Sequence, residues 1–200
     1  MSYTEIFGFH ADGLAYRLAE IQNSWRGGVA VWGALEKNHL SPFIPRYAKT
    51  SSWYRPEMSY EDVSRFMGYA PTRVAAMFEN DAMREIWGLV ENDKVPVSER
   101  ICLCTTFDKV IVEKKHLQRV IDAFRSFPAE TSLGEQADTL EKALADPDCI
   151  AVAWNQTSVN CDSWVSYRYI EETDTCEPYN LLEDSEHWSL FSEYPELLQD

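Results

Sequence analysis

The sequence predicts an α+β fold, in which a small antiparallel or mixed sheet packs with several helices. Short runs with strand character, such as Tyr3 to Phe9 and Lys109 to Glu113, alternate with longer segments of helical periodicity. These segments lack the regular strand–helix–strand rhythm of parallel α/β proteins. A chain of 200 residues that is 45% hydrophobic is long enough to bury one sizeable core. We therefore expect a single domain over residues 1–200, with a charge-neutral part at 1–128 and an acidic part at 129–200.

The N-terminal segment predicts a hairpin followed by a helix. Tyr3 to Phe9 alternates as a half-buried strand does, with Ile6 on the face opposite Phe7. A turn follows at Ala11-Asp12-Gly13, after which Leu14 to Ile21 either returns as a second strand or begins a helix. Asn23-Ser24 can cap a helix that extends to Leu40, although Gly27 and Gly28 each weaken such a helix by about 1 kcal/mol.

The middle of the chain predicts an irregular connection and then several helices. The connection covers residues 42–56, and Ser59 can cap a short helix that ends at Met67. Gly68 breaks this helix, and Pro71 suits the first turn of the next one. A further helix before Asn92-Asp93 carries an apolar stripe at helical spacing, and Val97 to Thr106 is also expected to be helical. The residues of that stripe are Met83, Ile86, Trp87 and Val90.

The clearest helix of the sequence extends from Lys114 to Phe127 and is followed by a second one. Pro128 stops the first helix, and Ser132-Leu133-Gly134-Glu135 has the pattern of a capping box for the second, which ends at Asp146-Pro147. The spacing of four apolar residues predicts that the first helix faces the core. These residues are Leu117, Val120, Ile121 and Phe124.

Two strands and an acidic terminal segment complete the prediction. Cys149 to Trp154 and Trp164 to Ile170 have strand character, and the polar residues Asn155 to Ser163 join them as in an ordinary hairpin. This connection is also the best candidate for a small binding site, because loops often carry function. A helix around Glu186 to Leu198, interrupted at Pro195, is expected near the end of the chain.

Charge is distributed very unevenly along the sequence. The chain has 33 Asp and Glu against 18 Lys and Arg, and all of the net charge of −15 lies after residue 128. Glu171 to Asp200 contains ten carboxylates and no Lys or Arg. Because net charge governs steering and non-specific binding, this asymmetry points to a basic partner surface, whereas direct binding to nucleic acid is not expected.

The leading hypothesis is therefore a non-enzymatic acidic module that binds a basic protein surface. In its strongest form the carboxylates imitate nucleic-acid phosphates and inhibit a nucleic-acid-binding protein, as small acidic inhibitors from phages and mobile elements do. Aromatic residues at Tyr179, Trp188, Phe191 and Tyr194 support an interface, because aromatic anchors concentrate binding energy. The candidate binding residues are Glu171, Glu172, Asp174, Glu177, Glu183, Asp184 and Glu186.

A second hypothesis is a DNA-binding regulator. Residues 59–78 resemble the helix-turn-helix pattern of bacterial repressors, with a small residue at Ser64, glycine at Gly68 and apolar residues around the turn. The resemblance implies that Thr72 and Arg73 would face the major groove. It covers about a tenth of the chain, and any packed helix corner needs the same small and apolar positions.

A third hypothesis is a small enzyme whose site assembles only in three dimensions. Cys102-Leu103-Cys104 lacks a second pair of ligands at metal spacing, so buried structural thiols are expected, and neither a metal nor a cofactor is predicted. The N-terminus does not resemble a signal peptide, and no apolar run reaches the length of a membrane span. With five scattered cysteines, these features predict a cytoplasmic protein that does not enter a membrane.

Overall fold

The computed structural model describes residues 3–22, 26–40, 58–67, 82–156, 167–178, 182 and 187–199. Within these residues it contains a mixed five-stranded sheet and seven α-helices, which confirms the α+β class. The chain divides into two compact units. The first unit consists of Met1–Val31 together with Pro96–Asp200, and the second unit consists of Trp32–Val95. This division does not follow the charge boundary at residue 128, because the acidic third shares the first unit with the N-terminal strands.

The elements occur in the following ranges. The helices are α1 (Gly28–His39), α2 (Tyr60–Met67), α3 (Ala82–Trp87), α4 (Val97–Cys104), α5 (Leu117–Ser126), α6 (Leu133–Ala145) and α7 (Leu190–Glu193), with 3₁₀ turns at Lys114–His116 and Pro195–Leu198. The strands are β1 (Tyr3–Phe9), β2 (Ala15–Gln22), β3 (Val110–Glu113), β4 (Ala151–Gln156), β5 (Tyr167–Ile170), β6 (Thr175–Pro178) and β7 (Trp188–Ser189).

The main sheet of the first unit has the strand order β2-β1-β4-β3-β7. Antiparallel pairing joins β1 to β2 and β4, and β4 to β3, whereas β7 pairs with β3 in parallel. The prediction of β1 was correct in its bounds but wrong in its burial. Thr4 to Phe9 are all buried, because β1 lies between two strands and apolar residues such as Ile6 and Phe7 are buried on both of its faces.

The predicted turn after β1 is confirmed, and the chain returns as a strand. The Asp12 carboxylate accepts a hydrogen bond from the Leu14 N–H at 3.0 Å, and the Gly13 N–H donates to the His10 oxygen at 2.9 Å. Gly13 has a φ of 78°, a conformation that glycine adopts without steric cost. These features close a tight β1–β2 hairpin and exclude the helical alternative for Leu14 to Ile21.

Helix α5 packs its predicted apolar stripe into the core. Leu117, Val120, Ile121 and Phe124 are all buried. The Phe124 ring lies edge-on to the Trp154 ring of β4, with centroids 6.2 Å apart and planes at 76°. Such edge-to-face pairs stabilise a core beyond the area that they bury. The sequence pattern therefore predicted both the helix and its buried face.

The predicted capping box at the start of α6 is wrong. Ser132 precedes the helix but has helical backbone angles, and its side chain makes no capping hydrogen bond. Its hydroxyl instead accepts from the Gln136 side-chain amide at 3.2 Å, and Gln136 in turn accepts from the Trp154 indole N–H at 2.9 Å. The indole N–H of a fully buried Trp needs an acceptor, so tertiary packing takes Gln136 and Ser132 away from the local motif.

The predicted hairpin between β4 and the strand ending at Ile170 is also wrong. Both neighbours of β4 are other strands, β1 and β3, and β5 pairs with β6 in a separate two-stranded sheet. Asn155 and Gln156 belong to β4 rather than to a loop. The expected helix around Glu186 to Leu198 is broken into β7, the short α7 and a 3₁₀ turn that begins at Pro195.

The second unit includes most of α1, all of α2 and α3, and a turn that ends at Val95. Helix α2 begins as predicted, because the Ser59 hydroxyl accepts from the Asp62 N–H at 3.2 Å and donates to its carboxylate at 2.8 Å. This hydroxyl contact lowers the pKa of Asp62. In α3, Ile86 is buried but Trp87 is 41% exposed, so the predicted stripe is only partly correct.

Candidate functional site

Three of the predicted acidic binding residues lie on one short turn between β5 and β6, which we call the acidic turn (residues 171–174). Glu171, Glu172 and Asp174 are all exposed. The Thr173 N–H donates to the Ile170 oxygen at 3.3 Å, and Asp174 adopts a positive φ of 52°. The turn therefore presents three carboxylates from neighbouring positions to solvent. For the other predicted residues, Glu177, Glu183, Asp184 and Glu186, the side chains lie outside the described residues.

Other carboxylates of the acidic third are paired with arginines from the charge-neutral part. Arg26 binds Glu135 at 2.7 Å, and Arg125 binds both Asp138 and, at 3.0 Å, Glu141. Hydrogen bonds to these two carboxylates raise the pKa of Arg125, Asp138 having the larger effect. Sequence reasoning missed these pairs, because partners more than a hundred residues apart, as for Arg26 and Glu135, leave no local pattern.

The aromatic residues near the end of the chain are occupied by the protein's own packing. Phe191 is buried, and its ring lies 5.1 Å from the His116 ring. The indole N–H of Trp188 donates to the Asp108 oxygen at 3.0 Å, and the Tyr194 ring packs edge-on against it at 6.4 Å. These three aromatics therefore do not support an intermolecular interface, and Tyr179 lies outside the described residues.

A cluster of titratable side chains lies at one end of the main sheet. The Tyr16 hydroxyl donates to the Asp146 carboxylate at 2.9 Å, and the His10 ring lies 4.7 Å from the Tyr16 ring at an interplanar angle of 47°. The Lys114 ammonium donates to the main-chain oxygen of Asp146. Hydrogen bonds from the Asp148 N–H and from Tyr16 lower the pKa of Asp146. Tyr16 of β2 and Lys114 of the 3₁₀ turn thus bind the same residue of the α6–β4 connection, one at its carboxylate and the other at its main-chain oxygen.

The contacts of this cluster hold the structure together, and we call Tyr16, Lys114 and Asp146 the clamp. Burial raises the pKa of Tyr16 well above its ordinary value, and hydrogen bonds with Cys149 and Asp146 act in the same direction. Tyr16 therefore remains a protonated donor at neutral pH and cannot serve as a base. The Cys149 thiol is 1% exposed, so a substrate cannot reach it as a nucleophile. The arrangement fastens the α6–β4 connection to the β1–β2 hairpin.

The part of the predicted polar connection that the structure describes is a buried network. The Asn155 side-chain amide donates to the Glu5 carboxylate at 2.8 Å, and Gln156 accepts from the Thr4 hydroxyl at 2.8 Å. The Gln156 N–H donates to Asp108 at 2.8 Å. These bonds join the start of β1 to the end of β4, although the buried side-chain oxygen of Asn155 accepts no hydrogen bond within the described part of the chain. Asn155 and Gln156 are both buried and therefore do not line an open loop. Residues 157–163 lie outside the described residues.

The cysteine pair of α4 behaves as buried structural thiols. Cys102 donates to the Ala123 oxygen at 3.4 Å, and burial raises its pKa well above the ordinary value. Burial also raises the pKa of Cys104, to about 12. Since metal ligation and nucleophilic attack require the thiolate, neither thiol is set up for such chemistry. Among the described residues, no group of three or more His, Cys, Asp or Glu is placed to hold a metal ion.

The helix-turn-helix hypothesis is only partly covered by the structure. Its first helix corresponds to α2, but Thr72 and Arg73 lie outside the described residues, so DNA contact through them stays a prediction. In the part of the chain that the structure describes, no helix has the length and apolar character needed to cross a membrane. Comparison with known protein families, with curated proteins and with solved structures found no match.

Proposed function

We propose that this protein is a non-enzymatic binding module whose acidic turn docks on a basic surface of another protein. The observation that carries the proposal is the joint exposure of Glu171, Glu172 and Asp174 on four consecutive residues. A compact group of exposed like charges attracts an oppositely charged surface over a distance of about one Debye length, roughly 8 Å at physiological ionic strength. The net charge of −15 adds a long-range attraction that speeds encounter with a basic partner.

The contrast with helix α6, which also belongs to the acidic third, supports this assignment. Helix α6 presents its carboxylates to Arg26 and Arg125 of the same chain, so those charges already have partners. Glu171 and Glu172 form no ion pair with the described residues, and both are exposed. Glu177, Glu183, Asp184 and Glu186 follow in the same stretch without an intervening Lys or Arg, and the proposal includes them.

A more specific form of the proposal is nucleic-acid mimicry. Duplex DNA carries one negative charge per roughly 1.7 Å of helix axis, and closely spaced carboxylates can occupy the groove that binds those phosphates. The protein would then act as an inhibitor of a nucleic-acid-binding protein, of the kind that phages and mobile elements encode. Duplex DNA should displace it from such a partner, whereas the protein itself should not bind duplex DNA.

The proposal also includes a cytoplasmic location. Cys102, Cys104 and Cys149 are free thiols, and reduced cysteines suit a reducing compartment. Fractionation of cells that express the tagged chain would test this, and recovery of the protein from an oxidising compartment would contradict it.

The experiment is a comparison of two charge-reversed variants with equal net charge. The test variant carries Glu171→Lys, Glu172→Lys and Asp174→Lys. The control variant carries three reversals at exposed carboxylates elsewhere, Glu91→Lys, Asp93→Lys and Glu130→Lys. Proteins captured from a lysate of the source organism by wild type and by the control, but not by the test variant, are the partners of the acidic turn.

Association kinetics then separate steering from specific docking. The rate of wild-type association should fall as salt rises, because screening shortens the range of attraction. The test variant should associate much more slowly than the control with the purified partner, and a DNA competitor tests mimicry in the same assay. If both variants lose the partner equally, net charge alone matters and the turn is not the docking element.

A further inference from the structure

Residues 187–199, which we call the C-terminal segment, contact the rest of the first unit in the manner of a bound peptide. Trp188 and Ser189 pair in parallel with Val110 and Ile111 at the edge of the main sheet. The Trp188 N–H donates to the Lys109 oxygen at 3.1 Å. Addition of an extended segment to a sheet edge is a common mode of peptide recognition, because main-chain hydrogen bonds accept many sequences.

Two arginines hold the far end of this segment. Arg100 of α4 is 6% exposed and binds the Glu196 carboxylate at 2.8 Å. Arg119 of α5 donates to the main-chain oxygens of Leu197 at 3.2 Å and Gln199 at 2.7 Å. The Arg119 contacts depend on the path of the peptide rather than on its side chains, whereas Arg100 selects a carboxylate.

Apolar anchors fix the segment between these polar contacts. Leu190, Phe191 and Leu197 are buried against the first unit. Buried anchors flanked by polar contacts are the usual composition of a peptide interface. The surface beneath the segment therefore combines an edge strand, apolar sites and two guanidinium groups.

We infer that this surface, formed by the β3 edge, α4 and α5, is a peptide-binding site, and that the C-terminal segment is its resident ligand. A partner peptide of the same chemistry, with a carboxylate for Arg100 and large apolar anchors, displaces the resident segment. The carboxylate would take the place of Glu196 at the Arg100 guanidinium, which is almost fully buried. This site is separate from the acidic turn, and the inference does not rest on the proposed function.

A partner peptide fits this role better than a second copy of the chain. The same segment from another copy would make identical contacts and would also lose translational freedom on binding. The tethered segment has an effective concentration in the millimolar range, so it wins against its own copies. Only a peptide with better complementarity, or a change that loosens the resident segment, shifts the balance.

The test measures binding of a fluorescent synthetic peptide with the sequence of residues 187–199 to the full-length chain. Leu197→Ser in the protein removes one buried anchor, and this variant should bind the peptide about 10-fold more tightly than wild type does. Adding Arg100→Gln to Leu197→Ser should weaken peptide binding about 10-fold. A scrambled peptide of the same composition is the control. Equal weak binding of the true and scrambled peptides by a folded Leu197→Ser variant would overturn the inference.

Hydrogen exchange on the wild-type chain gives a second test that needs no variant. The amides of Trp188, Tyr194 and Leu197 should exchange together, through an opening that leaves the amides of β1 and β4 protected. Exchange of these amides only upon global unfolding would show that the segment is a fixed part of the core and would refute the inference. A concentration-dependent dimer whose segments swap between copies would overturn the assignment to a partner peptide.

Discussion

Helix α6 and the acidic turn carry the same kind of side chain, but the structure places them in different electrostatic situations. On α6, Glu135 pairs with Arg26, and Asp138 and Glu141 pair with Arg125. In the turn, Glu171 and Glu172 are exposed and form no ion pair with the described residues. An excess of negative charge along the chain is therefore not the same as a free negative surface. Tertiary structure decides which carboxylates remain available to a partner.

The largest expected change in stability comes from a substitution in the core, on the inner side of the helix that carries Arg125. Helix α5 carries Arg125 on its outer side and Phe124 on its inner side, where Phe124 contacts Trp154. Phe124→Ala should lower the free energy of unfolding by about 3–5 kcal/mol, because it empties a large aromatic site. Chemical denaturation measures this, with Gln118→Ala on the exposed side of α5 as control. A loss below about 1 kcal/mol would contradict the burial of Phe124 in the core.

Local patterns predicted the elements that local physics controls. The stripe of α5 and the Ser59 cap of α2 are specified within a few residues, and both were correct. The Asp12-Gly13 turn also depends only on neighbouring groups, and it too was found where expected.

Long-range contacts explain the predictions that were wrong. Ser132 has the right residue type for a capping box, but Gln136 and the buried Trp154 indole engage it instead. The order of the strands also depends on long-range contacts. β4 pairs with β1 and β3 and not with β5, the strand that follows it in sequence. The Arg26–Glu135 pair had no signal in the sequence, since neither residue carries a local motif.

The clamp at Asp146 gives a second test of the contrast between paired and exposed carboxylates. Here too an acidic residue of the last third binds a residue of the N-terminal part, Tyr16. A methyl group added at Gly8 would lie 2.5 Å from the Tyr16 ring, so Gly8→Ala must displace the tyrosine that binds Asp146. We expect a loss of about 1–3 kcal/mol in unfolding free energy. Gly33→Ala is the matched control, since no atom of the described residues lies within 4 Å of the added carbon and α1 should gain stability. Equal effects of the two substitutions in urea unfolding would contradict the clamp.

The pH dependence of the same clamp gives a smaller effect. The pKa of Asp146 is lowered in the folded state, so its contribution to stability is present above the ordinary aspartate pKa and is lost as the pH falls through the folded value. Asp146→Asn removes that contribution. The Tm of wild type should exceed that of Asp146→Asn near pH 7, and the difference should shrink towards pH 3. A difference that stays constant over this range would show that the Asp146 charge plays no part.

The smallest expected change in Tm is the most direct test of the difference between the carboxylates of α6 and those of the acidic turn. Two double variants each remove two negative charges, one from α6 and the other from the acidic turn. The first is Asp138→Asn/Glu141→Gln, and the second is Glu171→Gln/Glu172→Gln. The first removes both partners of Arg125 and should lower the Tm by up to about 2 °C at low salt, an effect that disappears as salt screens the exposed pairs. The second breaks no ion pair with the described residues, and it reduces self-repulsion in a chain of net charge −15, so its Tm should be unchanged or slightly higher. Differential scanning calorimetry at two salt concentrations resolves the two signs. If both variants shift the Tm in the same direction, the carboxylates of α6 and of the acidic turn are electrostatically equivalent, and the contrast between them is refuted.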